Sequence, residues 1–109
     1  MSATKITPEA GRAALAEAGT DVAVLFRHGT LAVDFFAPRG EDHLMPHARD
    51  GVYVVISGSG TFVSDGEPQP VGPGEVVFVA AGTAHHFVDV SDDFATWALF
   101  HGPAGGEGG

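Results

Sequence analysis

Short runs of β-forming residues, each cut off within a few positions by glycine or proline, constrain this chain more than any other feature. Val22–Phe26, Leu31–Ala37, Val52–Ser57, Thr61–Ser64, Val76–Val79, His85–Val90 and Phe94–Phe100 are rich in valine, phenylalanine and leucine. Turn formers stand between them: Arg27-His28-Gly29, Pro38-Arg39-Gly40, Gly58-Ser59-Gly60, Asp65-Gly66, Val71-Gly72-Pro73-Gly74 and Ala80-Ala81-Gly82-Thr83. Val52–Ser57 and Thr61–Ser64 read as a hairpin around the Gly58-Ser59-Gly60 turn. Roughly eight short strands joined this way predict an all-β sandwich or barrel rather than a parallel α/β sheet.

One segment breaks the pattern. Thr7 as N-cap, Pro8 at the first helical position and Glu9 beside the positive dipole end start a short helix. Alanines carry it to Ala18, where Gly19 supplies the stop. It is weakly amphipathic and is expected to lie against the barrel or to front a partner subunit. The 109 residues are enough for one domain. Residues 1–19 read as an N-terminal arm carrying the short helix, 20–103 as the barrel, and 104–109 as a Gly-rich tail with too little to pack to become ordered.

Fourteen acidic residues against five basic ones argue against nucleic acid or an anionic membrane surface as partner. Cysteine is absent, which excludes disulfides, thiolate metal sites and cysteine nucleophiles. The N-terminus has no apolar signal core and no run reaches membrane-spanning length, so a cytoplasmic protein is expected. No glycine is followed by the lysine and helix of a phosphate-binding loop, and no cofactor motif is read.

The histidines are the residues that carry chemistry. His43 and His47 precede the Val52 run, and His85 opens a later one. In an extended segment His43, Met45, His47, Gly51 and Tyr53 share one face, and His85 stands opposite in facing to His86. Three imidazoles from two separated strand ends suit one metal ion in a small barrel. His28 in its turn, His86 on the far face and His101 at the end of the last strand read as packing or surface residues. Arg39, Arg49, Tyr53 and Trp97 have bland explanations as surface or core residues. Arg39, Tyr53 and Trp97 are retained as candidate substrate contacts.

From about Val22 to Pro103 the chain resembles a small single-domain cupin of the type-2 conserved-barrel kind. Gly40, His47 and Gly58 match the family's first motif, with the histidine pair spread around a proline in His43-Leu44-Met45-Pro46-His47. Gly74, Gly82 and His85 match the second motif, Ala80 standing where that motif has proline. The resemblance implies a jelly-roll barrel, a double-stranded β-helix, with a divalent transition metal (Fe, Ni, Cu, Zn or Mn). It also implies a small-molecule ligand in the barrel and a homodimer formed through sheet edges.

The departure is Gly51, which stands where the family carries its metal-binding glutamate. Three readings follow. His43, His47 and His85 hold the metal alone; or a bulge turns Asp50 inward as a substitute; or the site is degenerate and lines a metal-free pocket. The first gives a dioxygenase or an isomerase/lyase, and the last a non-catalytic ligand- or metal-binding module. No residue is marked as a general base. Gly51→Glu is expected at this level to strengthen metal binding.

Overall fold

The computed structural model describes residues 3–39 and 47–107. Helix α1 spans Pro8–Ala18. Its first turn is held by Thr7, whose hydroxyl accepts the Ala10 N–H at 3.2 Å. It ends at Gly19, which takes φ 68° and donates its N–H to the Leu15 carbonyl. The helix lies on the outside of the first two strands. Gly11 rests on the Phe35 ring so closely that any Cβ there would collide with it, which explains a glycine within the helix despite its cost in propensity.

The strands are β1 (Val22–His28), β2 (Leu31–Phe36), β3 (Asp50–Ser57), β4 (Gly60–Ser64), β5 (Glu67–Val71), β6 (Val76–Val79), β7 (His85–Val88) and β8 (Ala95–His101). They form an antiparallel five-stranded sheet, β1-β2-β8-β3-β6, and a three-stranded one, β5-β4-β7. The two close face to face as an all-β barrel, as the punctuation predicts, with the jelly-roll form that the resemblance implies. Strand β5 is hidden in the sequence by Pro68 and Pro70. It is an edge strand paired only with β4, and an edge is where missing N–H groups are tolerated. Strand β7 stops at Val88 because Asp89 adopts φ 53°.

Register assigns the faces. One row across the larger sheet runs Arg27, Ala32, Phe100, Gly51, Val79, and the next runs Val24, Asp34, Ala98, Tyr53, Val77. Both rows turn toward the smaller sheet, because Tyr53 meets Phe87 edge-on with ring centroids 5.1 Å apart. Phe36, Tyr53, Phe62, Phe87 and Phe94 fill the core between the sheets. Each such ring contributes roughly 1.5–3 kcal/mol of burial. The register shift between Val24 and Phe26 leaves Leu25 unpaired and brings Arg27 into the inward row.

The outer face of the larger sheet carries Trp97, Leu99, Val52, Val54, Val76 and Phe78. Residues 104–107, expected to lack order, are tied down. Gly105 N–H donates to the Ala48 carbonyl at 2.7 Å and Glu107 N–H to Asp50 Oδ2 at 3.1 Å. Composition misses this because the groups tied down are backbone N–H groups, which every segment carries. No described helix is long and apolar enough to cross a membrane.

Candidate metal centre

Two of the expected histidines meet at one end of the barrel. His47 leads into β3 from the larger sheet and His85 opens β7 in the smaller one, with ring centroids 4.7 Å apart. The backbone holds them together: Gly82 N–H donates to the His47 carbonyl at 2.9 Å, tying the loop before β7 to the entry of β3. Asp50 reinforces the tie, its Oδ1 accepting the Ala81 N–H at 2.9 Å.

Each ring is oriented by a carbonyl. Nδ1 of His47 lies 2.9 Å from the Arg49 carbonyl, and Nδ1 of His85 lies 2.9 Å from the Thr83 carbonyl. A carbonyl only accepts, so both Nδ1 atoms carry hydrogen, which leaves Nε2 as the lone-pair nitrogen of an uncharged ring. Nε2 of His47 is buried with no hydrogen-bond partner. Nε2 of His85 accepts from the Tyr53 hydroxyl at 3.0 Å. Burial holds the His47 pKa below its ordinary value, with the His85 ring adding to the effect. Burial therefore favours the neutral form of His47, the form that ligates a metal.

This donor set fits a transition metal. Two imidazoles fixed through Nδ1 present Nε2 to a common interior, and one of those lone pairs has no partner. His43, the third expected ligand, lies outside the described residues, as do Gly40 and Met45. Among the described residues no group of three His, Cys, Asp or Glu side chains surrounds one point.

Asp50 does not turn inward. Its two carboxylate oxygens accept the N–H groups of Ala81 and Glu107, and these bonds hold its pKa below the usual carboxylate range. The reading in which it replaces the missing glutamate is thereby corrected: strand alternation keeps it on the other face from Gly51. Gly51 does face inward, as expected, but its space is occupied. A Cβ there would lie 2.9 Å from His47 Cε1 and 3.1 Å from two ring carbons of Phe100. The ring centroid of Phe100 is 4.6 Å from that of His47.

The candidate substrate contacts separate. Tyr53 is 1% exposed and stands in the site. Trp97 points outward and packs edge-on against Phe35, centroids 5.3 Å apart. Arg39 lines a cavity of about 450 Å³ with Arg12, Asp92 and Asp93, on the helix side of the barrel. That cavity adjoins the end of β2 and the start of β8, away from His47. His101, on the outward side of β8, pairs with Asp50, and His86 pairs with Val63 beside the buried His85.

One inward residue escapes sequence reading. Asp34 lies in the Tyr53 row of the larger sheet, and its Oδ1 is buried without a partner. Burial raises its pKa, against the nearby Arg27 and Arg49 charges, which lower it. The folded state thus holds the Asp34 proton more firmly than the unfolded chain. Its ionisation weighs against the fold, an effect absent below roughly pH 4 and growing as pH rises through the folded-state value.

The Tyr53 hydroxyl competes with any metal for His85 Nε2. Tyr53→Phe is expected to tighten metal binding about 5-fold, the worth of one hydrogen bond of roughly 1 kcal/mol. Competition against a chromophoric chelator measures it, and weaker binding would instead make Tyr53 a ligand.

Barrel topology, a β3 entry loop and a β7 start that bring two imidazoles together define the cupin class. The model of the Cupin domain family matches residues 33–101, and the chain belongs to that family. It is 40% identical over 62 residues to the uncharacterized protein SCO3923 of Streptomyces coelicolor, a stretch covering 57% of this chain and 59% of that protein. Among solved structures, a protein of unknown function from Rhizobium leguminosarum superposes with TM-score 0.70 at 22% identity, covering 93% of this chain and 98% of that one. The DMSP lyase DddQ from Ruegeria pomeroyi gives TM-score 0.66 at 24% identity, over 74% of this chain and 46% of the lyase. At these identities the structural matches speak to the fold alone.

Proposed function

We propose that this cupin binds one divalent transition metal through His43, His47 and His85 and acts on a small oxygen-bearing molecule in the barrel. The observation that carries the reading is the buried, unpartnered Nε2 of His47 beside His85. Fe, Ni, Cu, Zn and Mn all suit imidazole donors. When bound, the metal supplies Lewis acidity toward a substrate oxygen and, if redox-active, a dioxygenase chemistry in place of an isomerase or lyase one.

The chain's own residues orient the ligands and exclude water. The Arg49 and Thr83 carbonyls fix the imidazole tautomers, and Phe100, Tyr53 and Phe62 surround the rings with apolar surface. With neutral ligands only, the centre keeps its full positive charge, which favours an anionic or bidentate oxygen ligand.

A second reading has an observation of its own. The Tyr53 hydroxyl already satisfies His85 Nε2, as in a metal-free pocket that captures a ligand without turnover. Metal analysis of tag-free protein separates the two. The first expects about one metal per chain after incubation with Fe, Ni, Cu, Zn or Mn; less than about 0.1 overturns it.

A second copy of this chain is the proposed partner. Strand β6 is an edge whose Val76 and Phe78 are 62% and 63% exposed, continuous with the apolar outer face. Light scattering is expected to give a two-chain mass that Phe78→Asp reduces to one. A monomeric wild type would remove the proposal. The protein is proposed to work in the cytoplasm.

A further inference from the structure

We propose that Asp34 is the ligand-facing carboxylate of the barrel interior, accepting a hydrogen bond from the hydroxyl of a small hydroxy acid whose carboxylate lies toward the His47–His85 end. The inference rests on the proposed function and adds a recognition group and a substrate class to it.

Two observations single out Asp34, its place in the sheet register and its unpartnered oxygen. Register places it on the inward face in the same row as Tyr53, with only the small Ala98 between them. Two strand spacings separate the Asp34 and Tyr53 backbones, roughly 10 Å, a span suited to a compact acid. Among the described residues, the buried side-chain polar atoms without a hydrogen-bond partner are Asp34 Oδ1 and His47 Nε2. A neutral His47 with its Nδ1 bonded offers a lone pair at Nε2, and an ionised Asp34 carboxylate only accepts, so in that state both orphaned atoms are acceptors.

A purely structural Asp34 has no evident use for that oxygen. A buried carboxylate oxygen without a donor is unfavourable, and an apolar residue would fill the same inward position of β2 without that deficit. A ligand hydroxyl is the donor it lacks. Arg27 and Arg49 are close enough to act on the Asp34 charge. Their positive charges, with a metal held by imidazoles, favour an anion near Asp34. A hydroxyl for Asp34 and a carboxylate for the positive groups together describe a hydroxy acid. No covalent step is invoked.

Lactate and propionate differ in the one hydroxyl that matters and serve as probes. Both are titrated calorimetrically into zinc-loaded wild type, Asp34→Ala and Asp34→Asn. Wild type is expected to prefer lactate by about 10-fold, the worth of one hydrogen bond to a charged acceptor. Asp34→Ala is expected to bind the two within about 2-fold while keeping zinc affinity within about 2-fold of wild type. Asp34→Asn, which keeps the side-chain shape, is expected to melt no lower than wild type at pH 7 and also to lose most of the preference.

An unchanged preference in both variants overturns the inference, as does a wild type that binds lactate no better than propionate. Loss of zinc in Asp34→Ala, matching that of His47→Ala, overturns it as well by making Asp34 a metal ligand. Wild type that takes up no zinc, nor any other of the candidate metals, contradicts the metal-binding reading instead.

Discussion

Replacing His47 by alanine is expected to weaken metal binding by about 100-fold or more, while His86→Ala changes it by less than about 2-fold. The contrast follows from which way each ring faces. His47 Nε2 is buried and unpartnered in the barrel interior, whereas His86 stands on the opposite side of β7 from His85. His85→Ala belongs with His47→Ala, although it also deprives the Tyr53 hydroxyl of an acceptor at 3.0 Å and so disturbs the metal-free protein more. His47→Gln, which preserves much of the volume, separates loss of the donor nitrogen from loss of packing against Phe100. Affinities measured by chelator competition, with circular dichroism confirming the fold, decide the matter. The reverse order of His47 and His86 would refute the assignment of faces.

Gly51→Glu is expected to destabilise the protein by about 1–3 kcal/mol and to weaken metal binding rather than restore it. The motif spacing points the other way, since it treats Gly51 as a ligand position that has merely lost its side chain. The geometry reverses that expectation. The first side-chain carbon alone would stand 2.9 Å from His47 Cε1 and 3.1 Å from the Phe100 ring. Something must move, and the nearest neighbour is the His47 ring that the metal needs. Gly51→Ala isolates this effect, because it adds the colliding carbon without a carboxylate. Urea denaturation gives the stability change and the same competition titration gives the affinity. A Gly51→Glu protein that binds metal more tightly than wild type at undiminished stability would show that the interior yields more readily than a packed core does.

Turn chemistry made most of the fold legible. Thr7, Pro8 and Gly19 mark the helix limits because capping is local. Strand β5 was not legible, since Pro68 and Pro70 argue against a strand unless its edge position is known. The inward facing of Gly51 and Tyr53 followed from simple alternation along β3. Alternation failed for Asp34, which sits among Ala32, Val33, Phe35 and Phe36 in a strand covered on both faces, one by the core and one by α1. With apolar residues on both sides of the sheet, the sequence carries no signal for which way an acid points. Asp50 and Trp97 depend on tertiary partners in the same way. The C-terminal turn that occupies Asp50 and the Phe35 ring that holds Trp97 outside are distant in sequence.

The most direct measurement is a crystal structure of metal-loaded protein with anomalous data collected at the metal edge. One peak per chain is expected within about 2.3 Å of Nε2 of both His47 and His85, with His43 as the third nitrogen ligand. The Tyr53 hydroxyl is expected to have released His85. No peak between these rings, with the Tyr53–His85 hydrogen bond intact at saturating metal, would contradict the account and leave a metal-free cupin pocket.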